Sequence, residues 1–193
     1  MKSVVVLGLV TVVTSTALAQ TPSAAEAQKP IKTLINAIRY SKDDIAAKQV
    51  AYDVMVEQIM GDAWKDASVS DRTELVSGME KVIRGLSFPA GRDMFKYLDN
   101  VLYDAPRQDG GSIKVKSTVV IHRDLKKSEI VIDWALAKSG GQWKVYDTVM
   151  QGDSTVAGIR EDQVKPLLKE GGVPAVVKAM RDKVAEVEAK AKK

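Results

Sequence analysis

The sequence predicts a single α+β domain, and three observations lead there. Apolar residues recur at helical spacing through the first hundred positions, at strand spacing from Ile113 to Val149, and at helical spacing again to the end. The chain has 193 residues, 45% of them hydrophobic, enough for one sizeable core without metals or disulfides. No internal repeat and no linker divides it. Helices grouped around one antiparallel sheet make the α+β class.

The first element is a leader. Lys2 supplies a positive start, Val4 to Val13 (VVVLGLVTVV) an apolar run, and Ala17-Leu18-Ala19 a small-x-small end before Gln20. That order predicts a secretory signal peptide over 1–19, cleaved to leave Gln20 first. The run is shorter than the roughly 20 apolar residues of a membrane span. Residues 20–193 form the domain, with 20–29 (QTPSAAEAQK) and 188–193 expected to be flexible.

Pro30 suits a helix start, and Ile31, Leu34, Ile35 and Ile38 follow on one face. Asp43 or Asp44 can cap a second helix, with Ala47, Val50, Ala51, Val54, Met55 and Ile59 inward, and Gly61 weakens or ends it. Ser68-Val69-Ser70-Asp71 is a capping-box pattern. Behind it Leu75, Val76, Met79, Val82, Ile83 and Leu86 form the clearest helical stripe of the chain. Pro89 opens a further segment carrying Met94, Leu98, Val101 and Leu102, whose end near Tyr103 reads as helix or strand.

The period then falls to 2. Ile113, Val115, Val119 and Ile121 alternate with polar residues in one strand. After a turn at Asp124 to Lys127, Ile130, Ile132, Trp134 and Leu136 alternate in a second. After Ser139-Gly140-Gly141, Trp143, Val145 and Val149 alternate in a third. Short turns between sequential strands predict an antiparallel meander. One more helix carries Ile159, Val164, Leu167 and Leu168 and stops at Gly171-Gly172. The last has Val173, Val176, Val177, Met180, Val184 and Val187 on one face.

Composition removes whole classes of chemistry. There is no Cys and one His, which excludes thiol catalysis, iron–sulfur clusters and Cys/His zinc sites. A net charge of +4, from 29 basic and 25 acidic residues, with scarce aromatics, does not fit nucleic acid as a partner. His122 stands alone at a strand end. The P-loop, the dinucleotide fingerprint and Gly-x-Ser-x-Gly are absent. Asp133 and Asp147 fall on neighbouring predicted strands, as a catalytic carboxylate pair could, or as one solvated and one structural Asp. Seven Met, Met55, Met79, Met94, Met150 and Met180 among them, lie on or near inner faces and suit irregular apolar surfaces. Periodicity alone does not separate a filled core from a lined cavity.

Gln142-Trp143-Lys144-Val145-Tyr146-Asp147-Thr148-Val149-Met150-Gln151-Gly152-Asp153-Ser154 resembles the W-x-V-Y-D-[VM]-x-x-E-G-V-S block of the MlaC-type periplasmic phospholipid-binding proteins, the toluene-tolerance family. Leu167 to Val184 is similar to that family's final helix, and Trp64-Lys65 with Ala67 to Leu86 to an earlier one. The resemblance covers roughly Ala47 to Lys190, in matching order. Gln151 stands where the family has Glu, and Asp153 where it has a hydrophobic residue.

The resemblance implies a curved sheet of about four strands, the extra one at Val101 to Pro106, with surrounding helices enclosing an apolar cavity for lipid acyl chains. The inward residues then supply the cavity wall: Val54 from the second helix; Met79, Val82, Ile83 and Leu86 from the main stripe; Val115, Val119, Ile132, Trp134, Val145 and Val149 from the strands; Val177 and Met180 from the last helix. It also implies a monomeric, non-enzymatic periplasmic carrier with no cofactor. Its partners would be a phospholipid, an inner-membrane ABC transporter with a lipid-binding ring subunit, and an outer-membrane lipoprotein complex. The competing reading is an exported enzyme or small apolar-ligand binder on a similar fold, using Asp133, Asp147 or Tyr146.

Overall fold

The computed structural model describes residues 21–191, so the expected leader lies outside the described residues. Helix α1 (Ala24–Arg39) begins six residues before Pro30, inside the stretch expected to be flexible. The cause is a capping box. Ser23 Oγ accepts from the Glu26 N–H at 3.3 Å, and the Glu26 carboxylate accepts from the Ser23 N–H at 2.9 Å. Pro30 sits within the helix and gives up one backbone hydrogen bond there. Its inward face buries Ile31, Leu34, Ile35 and Ile38, as the spacing predicts.

The single helix expected from Asp43 to Ile59 is two helices, α2 (Asp43–Ala47) and α3 (Tyr52–Met60). Between them the backbone pairs with a strand. Ala51 N–H donates to Val145 O, and Val145 N–H donates to Gln49 O, both at 2.8 Å. Those bonds take backbone groups a continuous helix would need. After α4 (Ala63–Asp66), Ser68 and Asp71 form the predicted capping box of α5 (Val69–Val82). A wide π-type turn over Ile83–Ser87 leads into α6 (Phe88–Phe95), so Pro89 continues the rod instead of opening a new one.

The sheet has six strands, two of them very short: β1 (Leu98–Tyr103), β2 (Arg107–Asp109), β3 (Ser112–Arg123), β4 (Lys126–Ser139), β5 (Gln142–Met150) and β6 (Asp153–Ser154). The order is β1-β3-β4-β5-β6, with β2 also on β3, and every pairing is antiparallel. The extra strand thus starts three residues before the expected Val101 and stops at Tyr103. Pairing places Val115 opposite Trp134, Ser117 opposite Ile132 and Ile113 opposite Leu136, one apolar face across two strands. Trp134 Nε1–H donates to the buried Ser117 hydroxyl at 2.8 Å, which satisfies both polar groups of that face.

A β-bulge changes the face of the third long strand. Leu136 pairs with Val145, but Ala135 pairs with Asp147, leaving Tyr146 as the extra residue. Residues opposite each other share a face. Val145 therefore shares the face of Leu136, while Val149, opposite Asp133, lies on the face away from Ile132 and Trp134. This corrects the alternation expected for Val149: a period of 2 does not survive an inserted residue. Met150 is exposed at the strand end, contrary to its expected inward place.

The chain closes with α7 (Thr155–Ile159), a second π-type turn over Arg160–Val164, and α8 (Lys165–Ala191). Helix α8 is broken where expected. Gly172 has φ 63°, a conformation open to glycine, and Gly171 is non-helical too. Helix continues to Ala191, through most of the tail expected to be loose.

Candidate functional site

The stripe on α5 behaves as two kinds of surface. Leu75 and Met79 are buried, whereas Val82, Ile83 and Leu86 remain half-buried although equally apolar. Val82 and Leu86 border a cavity of ≈ 250 Å³ on that side. Its wall is built from Val56, Ile59 and Met60 of α3, from Leu75, Met79 and Val82 of α5, and from Leu86 in the first π-type turn. Ile159 of α7, Val164 of the second π-type turn, and Leu167, Val176, Ala179 and Met180 of α8 complete it. Gln163 and Lys183 add the polar groups, and Lys183 is turned to Glu186 at 2.9 Å. No strand residue contributes.

Four of the sequence-derived wall residues, Met79, Val82, Leu86 and Met180, meet in this cavity. Ile83 packs against the core outside it, and Val177 is buried next to it. Val115, Val119, Ile132, Trp134 and Val145 are packed into the sheet core and do not reach the cavity. Val54 lines a separate shallow groove with Tyr146. Val149 is on the opposite sheet face, as the bulge requires. Val56, Met60, Gln163, Ala179 and Lys183 were missed. The first two lie on a helix interrupted by the strand-like segment at Val50, and a polar rim carries no periodic signal.

The wall is closed by a tight seam between α5 and α8. A Cβ on Gly78 would lie 2.5 Å from Met180 Cγ, and one on Gly85 would overlap Val187 Cγ1. The two glycines are seven residues apart, as are Met180 and Val187, so the same contact repeats two turns along. Ion pairs flank it: the Arg181 guanidinium grips the Glu74 carboxylate with two nitrogens, and Lys81 meets Glu188 at 3.0 Å. Arg181 holds the Glu74 carboxyl below its usual range through that hydrogen bond.

The residues considered for catalysis have other roles. Asp133 accepts from Arg107 at 2.8 Å. Asp147 is buried and accepts three bonds, from Ser154 Oγ at 2.6 Å, Thr148 N–H at 2.8 Å and Val156 N–H at 3.0 Å. With Ser154 capping Ala157 N–H, it fastens the start of α7 to β5. Tyr146 is the bulge residue. His122 faces Asp99 at 3.6 Å on the surface. Among the described residues no group of three His, Asp or Glu side chains could hold a metal, and no helix is long and apolar enough to cross a membrane.

Comparison with known proteins agrees with this architecture. A phospholipid-binding protein from Ralstonia solanacearum, solved in complex with a phospholipid, superposes with a TM-score of 0.68 at 18% identity, over 87% of this chain and 99% of its own. Another solved chain, Rd1NTF2_05, gives a TM-score of 0.40 at 15% identity over 65% of this chain and 96% of its own. The family described as MlaC protein matches residues 16–182, nearly the whole length, and the chain belongs to that family.

Proposed function

We propose that this chain is a non-enzymatic phospholipid carrier that holds acyl chains in the helical cavity and leaves the headgroup outside. One observation carries the reading: a cavity walled almost entirely by aliphatic and Met side chains, with no convergent polar cluster, in a chain of the MlaC family. The acyl chains lie against Met79, Val82, Leu86 and Met180. Each buried methylene contributes about 0.8 kcal/mol, so ten supply roughly 8 kcal/mol without a polar contact. That explains how a site can lack a motif.

At ≈ 250 Å³ the cavity is small beside the roughly 300–1,000 Å³ of sites for drug-sized ligands. Two acyl chains therefore require the walls to spread. The walls contain the elements that permit it: the π-type turns at Ile83–Ser87 and Arg160–Val164, and the break at Gly171-Gly172.

The leader pattern supports a periplasmic location. Within the family reading, the carrier moves lipid between an outer-membrane lipoprotein complex and an inner-membrane ABC transporter with a lipid-binding ring. A ligand held by this much apolar surface leaves slowly unaided, so release falls to a partner that competes for it. Mass spectrometry of organic extracts from purified protein tests the carrier reading. About one phospholipid per chain is expected. Folded protein that repeatedly yields no lipid contradicts it.

A further inference from the structure

Two hairpins of the sheet turn through two residues that both have positive φ, and they use different residues to do it. Between β4 and β5, inside the Ser139–Gln142 pair, these are Gly140, φ 57°, and Gly141, φ 78°. Between β3 and β4, inside the Arg123–Lys126 pair, they are Asp124, φ 50°, and Leu125, φ 63°. Such a turn favours Asn or Asp followed by Gly, because a Cβ is crowded in the left-handed region. Leucine in the second position is strained, and it gains no packing there, since Leu125 is fully exposed. Strain kept without a packing gain clusters at functional sites.

The β3–β4 turn also projects. Strand β1 pairs with β3 no further than Ile121, and β5 pairs with β4 no nearer than Ile132, so residues 122–127 extend beyond both neighbours. Three bases and one acid fall within residues 123–127. Arg123 meets Asp124 at 3.4 Å and Lys127 meets Glu129 at 2.8 Å, both as surface pairs of little strength, and Lys126 has no ion-pair partner among the described residues. At the base of the projection Tyr97 is exposed, and its carbonyl accepts from the His122 N–H at 3.0 Å. Its ring centre lies 5.3 Å from the Arg123 guanidinium and 5.4 Å from the Lys96 ammonium. Behind the tip Leu102 and Val131 are exposed, both opposite Thr118 and so on one face. Four of the eight large apolar side chains exposed among the described residues thus lie on or beside this one hairpin.

We propose that the β3–β4 hairpin is a membrane-contact tip that docks the protein on a bilayer with anionic headgroups. Leu125 enters the boundary between headgroups and acyl chains, Tyr97 sits at the interface, and Arg123, Lys126 and Lys127 meet the lipid phosphates. A bilayer supplies what the fold does not: an apolar medium for the side chain at the tip and counter-charges for the cations behind it. The sign of the charge selects an anionic surface over an uncharged one. One leucine with a few bases gives a reversible contact and not an anchor. The tip shares no residue with the apolar cavity, so the proposal goes beyond the carrier reading and does not depend on it.

The test is co-sedimentation of the mature protein, as purified, with vesicles of phosphatidylcholine alone and of phosphatidylcholine mixed with phosphatidylglycerol. Binding to the anionic vesicles should be stronger by about tenfold or more and should weaken as salt rises. Asn accepts the left-handed conformation, so Leu125→Asn should weaken binding about tenfold with a melting temperature unchanged or raised. Leu125→Phe should retain binding, and Lys126→Gln should weaken it about fivefold. Failure to bind anionic vesicles overturns the proposal, and so does binding that Leu125→Asn leaves unchanged. A large fall in the melting temperature of Leu125→Asn would assign Leu125 to the fold and overturn it too. Wild-type dimers that Leu125→Asn converts to monomers would make a second copy of the chain the occupant, with the same consequence. Phospholipid carried per chain, measured on the same variants, should stay at the wild-type level, which separates failure here from failure of the carrier reading.

Discussion

In the sheet, Val115, Val119 and Leu136 are wholly buried, and even the polar pair Trp134–Ser117 is satisfied within the packing. In the cluster of α3, α5, α7 and α8, the equally apolar Val82, Leu86 and Met180 stay half-buried around a cavity. The central strands β3, β4 and β5 are long, and a single bulge, at Tyr146, breaks their pairing. The helices around the cavity are interrupted, at Val50, at the two π-type turns and at Gly171-Gly172. The difference separates two jobs in one domain. Filled packing in the sheet supplies stability, and the broken helices leave the room.

The largest effect should therefore come from the sheet. Trp134→Ala removes a large side chain from a filled region and leaves the Ser117 hydroxyl only its long 3.5 Å bond to the Ile132 carbonyl, at a cost of about 3–5 kcal/mol. Val82→Ala, removing atoms that already face a cavity, should cost about 1 kcal/mol or less. Chemical denaturation of both variants checks the contrast. Equal losses would mean that the helical cluster is packed as tightly as the sheet.

The seam gives an intermediate effect. Gly85→Ala puts a methyl group into Val187, which is β-branched and cannot swing away, so overpacking of about 1–3 kcal/mol should exceed any gain in helix propensity. Gly78→Ala meets the flexible Met180 and should cost less. Denaturation midpoints for the pair would test whether α5 and α8 are fastened where the contacts place them.

Acid should act most weakly, and on the helical side. Arg181 lowers the Glu74 carboxyl, and Lys190 and then Lys183 lower Glu186 from its ordinary 4.5 to about 2. A carboxylate whose folded value is depressed contributes stability above its unfolded value and loses it as pH falls through the folded one. Amide protection in α8, corrected for intrinsic exchange, should thus decline between about pH 4.5 and 2 before that of β3 and β4. Glu186 and its lysines are exposed and Glu74 is only half-buried, so the effect is small. Simultaneous loss in both regions would contradict a separately loosened α8.

Much of the fold was legible because its signals are local. The Ser68–Asp71 box, the strand alternation from Ile113 to Leu136 and the Gly171-Gly172 break are each set by neighbours in sequence. The site was legible in part. Met79, Val82, Leu86 and Met180 were reached because they fall on apolar stripes of regular helical spacing in the sequence. Val149 was misplaced because the bulge at Tyr146 is set by pairing with β4, which strand spacing does not encode. The sheet residues were expected in the wall because burial looks identical in sequence whether the opposite side is filled or hollow. The division of Asp43 to Ile59 into two helices depends on Val145, nearly a hundred positions away.

The central claim is that lipid occupies the helical cavity and not the sheet, and two tryptophans test it directly. Val82→Trp places a ring in the cavity, and Val149→Trp places the same ring on the sheet face turned away from Trp134. Phospholipid per chain is measured on both, alongside the melting temperature of the delipidated proteins. The account predicts that Val82→Trp loses most of its lipid with a nearly unchanged melting temperature, while Val149→Trp keeps it. Full lipid on Val82→Trp would contradict the account.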